Sequence, residues 1–135
     1  MRIDILTLFP EMFDGFFNHS IVGRARERGL VDITLHNFRM YTEDSHHVVD
    51  DYPYGGGSGM VLKPEPIFNA VEAIAMNKDS TAISTVLLSP QGRLLTQEIA
   101  QQLAGNQQLI LICGHYEGVD ERVGEYLVDD EIHIP

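Results

Sequence analysis

The chain has 135 residues, 44% of them hydrophobic, and a formal charge of −11. That length suffices for one domain with a true core, and no run of about 18 apolar residues able to cross a bilayer occurs in it. From Glu98 onward eight acids face one base, Arg122, while residues 1–40 carry five acids and five bases, with Arg24, Arg26 and Arg28 close together; taken alone, this balance argues against nucleic-acid binding by the domain, because phosphate contacts need clustered Lys and Arg.

In chain order, residues 2–8 (RIDILTL) read as a strand that is mostly apolar on both faces. Pro10 suits the start of a helix carrying Met12, Phe13, Phe16 and Phe17. Ser20 is the expected cap of a second helix over IVGRARERG, ended by Gly29. Residues 31–38 (VDITLHNF) predict a strand with Ile33 and Leu35 set against Asp32 and Thr34. Residues 40–60 show no periodicity, and a loop of this length inside a compact domain is often functional or mobile. A helix fits PEPIFNAVEAIAMN, where Ile67, Val71 and Ile74 fall four and three apart. STVLLS (84–89) predicts a strand that stops at Pro90-Gln91-Gly92. Thr96 is placed to cap a helix with Ile99, Ala100 and Leu103 inward, broken at Gly105-Asn106. QLILIC (108–113) is the most apolar strand. A short helix follows over VDERVGEYL with Asp120 near its cap, and DDEIHI predicts a last strand before Pro135.

Strands alternate with helices, and several strands are apolar on both faces. This predicts an α/β fold with a parallel sheet covered by helices on both sides. Ligands of such sheets bind outside the carboxyl ends of the strands. Two loops fall there: SPQGR after Leu88, and CGHYEGVDER after Ile112. The lone Cys113 leaves no internal disulfide framework and fits a reducing, cytoplasmic setting; as a buried small hydrophobe it needs no catalytic role. Asp4 and Glu11, with no basic-then-apolar leader, give the expectation of no signal peptide.

Four stretches invite chemistry. The tract Gly55, Gly56, Gly57, Ser58, Gly59 lacks the Lys-Ser or Lys-Thr of a phosphate loop, since Met60 and Val61 follow it. It reads as a flexible linker or as close backbone approach to a bulky ligand. His46, His47, Asp50 and Asp51 permit metal ligation, but no second ligand cluster at a familiar spacing accompanies them, and a solvated polar loop is the default. Ser89-Pro90-Gln91-Gly92 is a turn or a ligand loop. In residues 114–118 two glycines free backbone N–H and C=O groups, while Tyr116 adds a stacking face and Glu117 an acceptor. Those groups suit a nucleoside.

LFPEMF (8–13), VDDYPYGGGSGMVLKPEPIF (49–68), LLSPQGR (87–93) and LILICGHYEGVDERV (109–123) together resemble the bacterial tRNA guanine-N(1) methyltransferases, the TrmD family of the knotted SPOUT superfamily. The likeness runs in order from Met1 to about Ile132. It implies that residues 1–135 are the N-terminal S-adenosylmethionine-binding methyltransferase domain, a parallel α/β sheet tied in a deep trefoil knot. It implies methyl transfer from S-adenosylmethionine to N1 of the tRNA guanosine at position 37, just 3′ of the anticodon. Homodimers that share each site between two chains are implied as well. By matching position, the cofactor loops are Leu88, Ser89 and Pro90, then Gly114, Tyr116, Glu117 and Gly118, with Ile134 beyond. Pro53, Tyr54, Gly55, Gly56, Gly57 and Gly59 lie near the target base, which must leave its stack to react.

The likeness thins at the end. The family continues with a Ser-Ile-Gly-Asp type segment, and of His133, Ile134 and Pro135 only Ile134 fits it. The third cofactor loop, the helical C-terminal domain, the catalytic Asp and a tRNA-contacting Arg are not matched, so no residue of this chain is read as catalytic and no metal is expected. Two functions follow: a tRNA methyltransferase for the parent protein, or a catalytically inactive fragment that only binds cofactor or dimerises. A different α/β nucleotide-using enzyme is the reading that ignores the likeness.

Overall fold

The computed structural model describes residues 1–43, 46–51, 61–76, 82–114 and 118–135, without the side chains of Asp51 and Val61. Its strands are β1 (Arg2–Thr7), β2 (Asp32–Asn37), β3 (Asp50–Asp51), β4 (Val61–Leu62), β5 (Ile83–Leu94), β6 (Gln108–Cys113) and β7 (Asp130–His133). Its helices are α1 (Ser20–Glu27), α2 (Pro64–Ile74), α3 (Gln97–Ala104) and α4 (Glu121–Tyr126). Five strands form one sheet in the order β2-β1-β6-β5-β7, and every pairing in it is parallel. All five carboxyl ends therefore lie along one edge.

Register sorts the side chains onto two faces, because residues opposite each other in a ladder point the same way. Leu6, Leu87, Ile110 and Ile112 face one side and pack with Ile67, Ala70, Val71 and Ile74 of α2 and Val123 of α4. Val86, Leu109 and Ile132 face the other side and pack with Ile99 of α3. Helices thus cover both faces, as the apolar strands predicted.

Local signals set several boundaries. Pro64 opens α2 at a position whose N–H would be unpaired anyway. Thr96 Oγ1 accepts from Ile99 N at 3.2 Å and caps α3, and Asp120 caps α4 by accepting from Arg122 N at 2.9 Å. Four expectations are corrected. No continuous helix follows Pro10: two 3₁₀ turns, Pro10–Phe13 and Phe16–Asn18, flank a bend at Gly15 (φ 80°), which leaves Met12 and Phe16 exposed. The cap of α1 is His19 rather than Ser20, which has φ 60° and begins the helix itself. The stretch from residue 40 to 60 begins in a 3₁₀ turn, Phe38–Tyr41, and contains β3, which pairs antiparallel with β4 just beyond it. Finally, β5 does not stop at Pro90 but runs on to Leu94, because β7 offers it a second set of partners.

A buried polar cluster braces the amino-terminal half of the sheet. Asp4 is fully buried. Its Oδ1 lies 2.7 Å from His36 Nε2, and its Oδ2 accepts from Arg2 Nε at 2.9 Å and Gln108 Nε2 at 2.8 Å. Gln108 also donates to Ile74 O at 3.1 Å and accepts from Met76 N at 2.9 Å. The carboxylate thereby orients the amide that holds the end of α2. Burial pushes the Asp4 carboxyl up, but the donors Arg2, Gln108 and His36 outweigh burial and hold it below the ordinary range. Among the described residues no helix is long and apolar enough to cross a membrane.

Candidate functional site

Leu88 of β5 lies opposite Cys113 of β6 on one side and opposite Ile132 of β7 on the other. These three residues make one row across three adjacent strands, near the carboxyl edge. Beyond the row stand Gly114, residues 89–92, and Ile134. The structure therefore brings Leu88, Ser89 and Pro90, inside β5, beside Gly114 at the end of β6, with Ile134 following β7 on the other side. Tyr116 and Glu117 lie outside the described residues, as do Pro53, Tyr54, Gly55, Gly56, Gly57 and Gly59.

The chain returns to this edge at Gly118, whose φ of 139° L side chains rarely adopt. Leu62 N donates to Gly118 O at 3.1 Å, and Asp120 N donates to Leu62 O at 3.1 Å. Strand β4 thus pairs with β3 on one side and with residues 118–120 on the other. Because β3 and β4 bracket residues 52–60, the exit of the glycine tract is stitched to the end of the second cofactor loop expected from sequence. Sequence reading missed Leu62, since an isolated bridge has no periodic signature.

The backbone is close-set here. A Cβ at Gly114 would lie 3.3 Å from Val119 Cγ2 and 3.6 Å from Leu88 O, so a side chain would enter the space between the two loops. Backbone amides as donors and carbonyls as acceptors at such an edge are groups able to hold a neutral ring or a ribose. Burial pushes the Cys113 thiol up, which keeps it protonated and fits its reading as a small apolar residue.

Two ion pairs frame the edge. Arg122 Nε and Nη2 each donate to Asp120 at 2.8 Å, and Arg122 holds the Asp120 carboxyl below its ordinary range. On the far side Arg93 Nε lies 3.1 and 3.0 Å from the two Asp130 oxygens. A groove of about 550 Å³ opens beside α2 and α4, with Lys63, Phe68, Asn69, Arg122 and Tyr126 in its walls. His47 Nδ1 lies 2.8 Å from Thr42 Oγ1, and among the described residues no three His, Cys, Asp or Glu side chains converge as a metal site would require.

Comparison with known proteins gives one family. The family model described as tRNA (Guanine-1)-methyltransferase TrmD matches residues 1–135. A curated tRNA (guanine-N(1)-)-methyltransferase of Dehalococcoides mccartyi (strain ATCC BAA-2266) is 60% identical over 134 residues, 99% of this chain and 54% of the relative. One from Staphylococcus epidermidis (strain ATCC 35984) is 56% identical over the same shares. The chain thus spans about half the length of the curated relatives it matches. Among solved structures, the crystal structure of tRNA (m1G37) methyltransferase from Aquifex aeolicus superposes with a TM-score of 0.86 at 36% identity, over 100% of this chain and 60% of that one.

Proposed function

The chain belongs to the tRNA (guanine-1)-methyltransferase family, and from that premise we propose that the protein at its natural length methylates N1 of guanosine 37 in tRNA, with S-adenosylmethionine as donor. Residues 1–135 are its cofactor-binding domain in this reading, with the knot of the superfamily. The observation that carries it is the shared row of Leu88, Cys113 and Ile132, which sets the expected cofactor loops side by side at the carboxyl edge.

The residues present fit the donor. Backbone at Leu88 and Gly114 would hold the adenosine, Ser89 and Pro90 would close one side, and Ile134 would add an apolar surface. The sulfonium supplies an electrophilic methyl group when bound. This chain's contribution is to hold the donor in one pose and to exclude water; such placement supplies much of the rate in a displacement. A base must accept the N1 proton as the methyl arrives, and we assign that role to no described residue. In this reading Tyr116 and Glu117 serve the cofactor side and residues 53–59 the target base.

We also propose a homodimer and a cytoplasmic setting. Met12, Phe16 and Ile21 stand more than two-thirds exposed near one another in the chain, and a surface of that kind supports association with a second copy. The charge of −11 places the burden of tRNA contact on few cations. Arg26 is already engaged, donating to Phe17 O at 3.2 Å and Asn18 Oδ1 at 3.1 Å, which leaves Arg24 of α1 and Arg28 just after it as the freer charges of this segment.

The test is transfer of labelled methyl from S-adenosylmethionine to a tRNA transcript by the protein at natural length. Label at N1 of G37, absent from a transcript carrying adenosine there, is the expected result. Label at another position, or no calorimetric binding of S-adenosylmethionine, overturns the reading.

A further inference from the structure

Strand β5 leaves its ladder and re-enters it on the same rung. Leu88 and Arg93 both pair with Ile132, so residues 89–92 form a four-residue excursion between them. Nothing in strand geometry holds such a detour, and its two ends have to be fixed by other means. We infer that Gly92, Arg93 and Asp130 are positioning residues that hold this excursion in its ligand-receiving shape, acting on Ser89 and Pro90 without touching the ligand. The inference rests on the reading of Ser89 and Pro90 as a wall of the S-adenosylmethionine site.

Three features hold the detour. Leu88 enters it anchored on both sides, by Cys113 and Ile132. Arg93 leaves it with its guanidinium forked on Asp130: Nε reaches both carboxylate oxygens at 3.0 and 3.1 Å and Nη2 reaches Oδ2. Asp130 starts β7 and lies opposite Val86, two rungs back from Ile132, so the Arg93 side chain reaches backward along β7 and pulls the returning chain onto it. Gly92 makes that return possible. A Cβ there would sit 2.5–2.6 Å from the backbone of Glu131 and Ile132, so only glycine lets the two chains touch. Inside the detour, Gln91 N donates to Ser89 Oγ at 3.1 Å, and Pro90 has its φ set by its ring.

A wall built this way is ordered before the ligand arrives. Pre-ordering raises affinity by removing the cost of ordering on binding. The fork matters more than the charge, because a lysine ammonium cannot engage both carboxylate oxygens in one plane.

Calorimetric titration of the protein at its natural length with S-adenosylmethionine, paired with urea unfolding, tests the inference. Arg93→Ala and Asp130→Asn are expected to weaken binding about ten-fold, a change of one decade in Kd, while the urea midpoint barely moves. Arg93→Lys should fall in between, and the exchanged pair Arg93→Asp with Asp130→Arg should regain part of the loss. Gly92→Ala should match Arg93→Ala; if it does not fold, Arg93→Lys and the exchanged pair carry the test. Unchanged affinity in Arg93→Ala and Asp130→Asn overturns the inference and leaves the cofactor reading intact. Affinity that falls only in step with the urea midpoint overturns it too, since that is the mark of a merely structural pair. An unsubstituted natural-length protein that binds no S-adenosylmethionine overturns both.

Discussion

Replacing Asp4 by Asn removes one charge and almost no volume, which makes it a clean probe of the buried cluster. In the parent the carboxylate serves Arg2, His36 and Gln108 at 2.7–3.1 Å. An Asn side chain keeps one acceptor and turns its amide toward groups that are themselves donors. Hydrogen bonds to charged groups contribute about 1.5–3 kcal/mol each, and an orphaned buried partner costs about 1–3 kcal/mol. Arg2 is a third exposed and can turn to water, so its share is discounted. A net loss of about 3 kcal/mol remains. With a urea slope of about 2 kcal/mol/M, the midpoint drops by about 1.5 M at pH 7.

The pH dependence supplies a second reading of the same group. Asp4 is held below its ordinary value in the folded chain, so its contribution is complete above the unfolded value near pH 4 and drains away as the pH falls below it. Parent and Asp4→Asn should therefore differ by a constant gap above about pH 4, and that gap should close as the pH falls below it. Equal urea midpoints at pH 7, or a gap that persists undiminished at pH 2, would refute the assignment of charge-dependent bracing to Asp4.

Other outcomes follow from single features. Ile110→Ala empties a fully buried site beneath α2 and should cost about 2–5 kcal/mol in urea unfolding. Thr96→Ala removes the cap of α3 and should cost about 1 kcal/mol, with Thr96→Ser restoring most of it. Gly118→Ala forces a side chain to φ 139°, at about 1–3 kcal/mol, and should speed hydrogen exchange at the Leu62 amide that Gly118 O accepts. Because burial raises the Cys113 thiol, a disulfide reagent at pH 8 should label it more slowly in the folded chain than in urea; equal rates would contradict that burial.

Much of this protein is legible in its sequence wherever the controlling interaction spans only a few residues. Thr96 and Asp120 announce caps because each bonds an amide two or three residues on. The apolar runs of β1, β5 and β6 announce a sheet buried on both sides, and the motifs around Leu88 and Gly114 announce loops at its carboxyl edge. The Pro10 region shows where local pattern misleads. Its spacing suits a helix, but the bend at Gly15 and the exposure of Met12 and Phe16 show that no core face receives one.

Tertiary structure alone decided what depends on strand order and register. That SPQGR is a detour inside a continuing strand follows from β7 lying beside β5, which brings Asp130 to Arg93 across 37 positions. That Asp4 is a brace rather than a surface charge follows from Gln108, 104 positions away, reaching its carboxylate. Backbone propensity and side-chain periodicity act over one or two turns of chain. The partner of a buried charge or a returning strand is chosen by how whole strands pack, and only the folded sheet holds that choice.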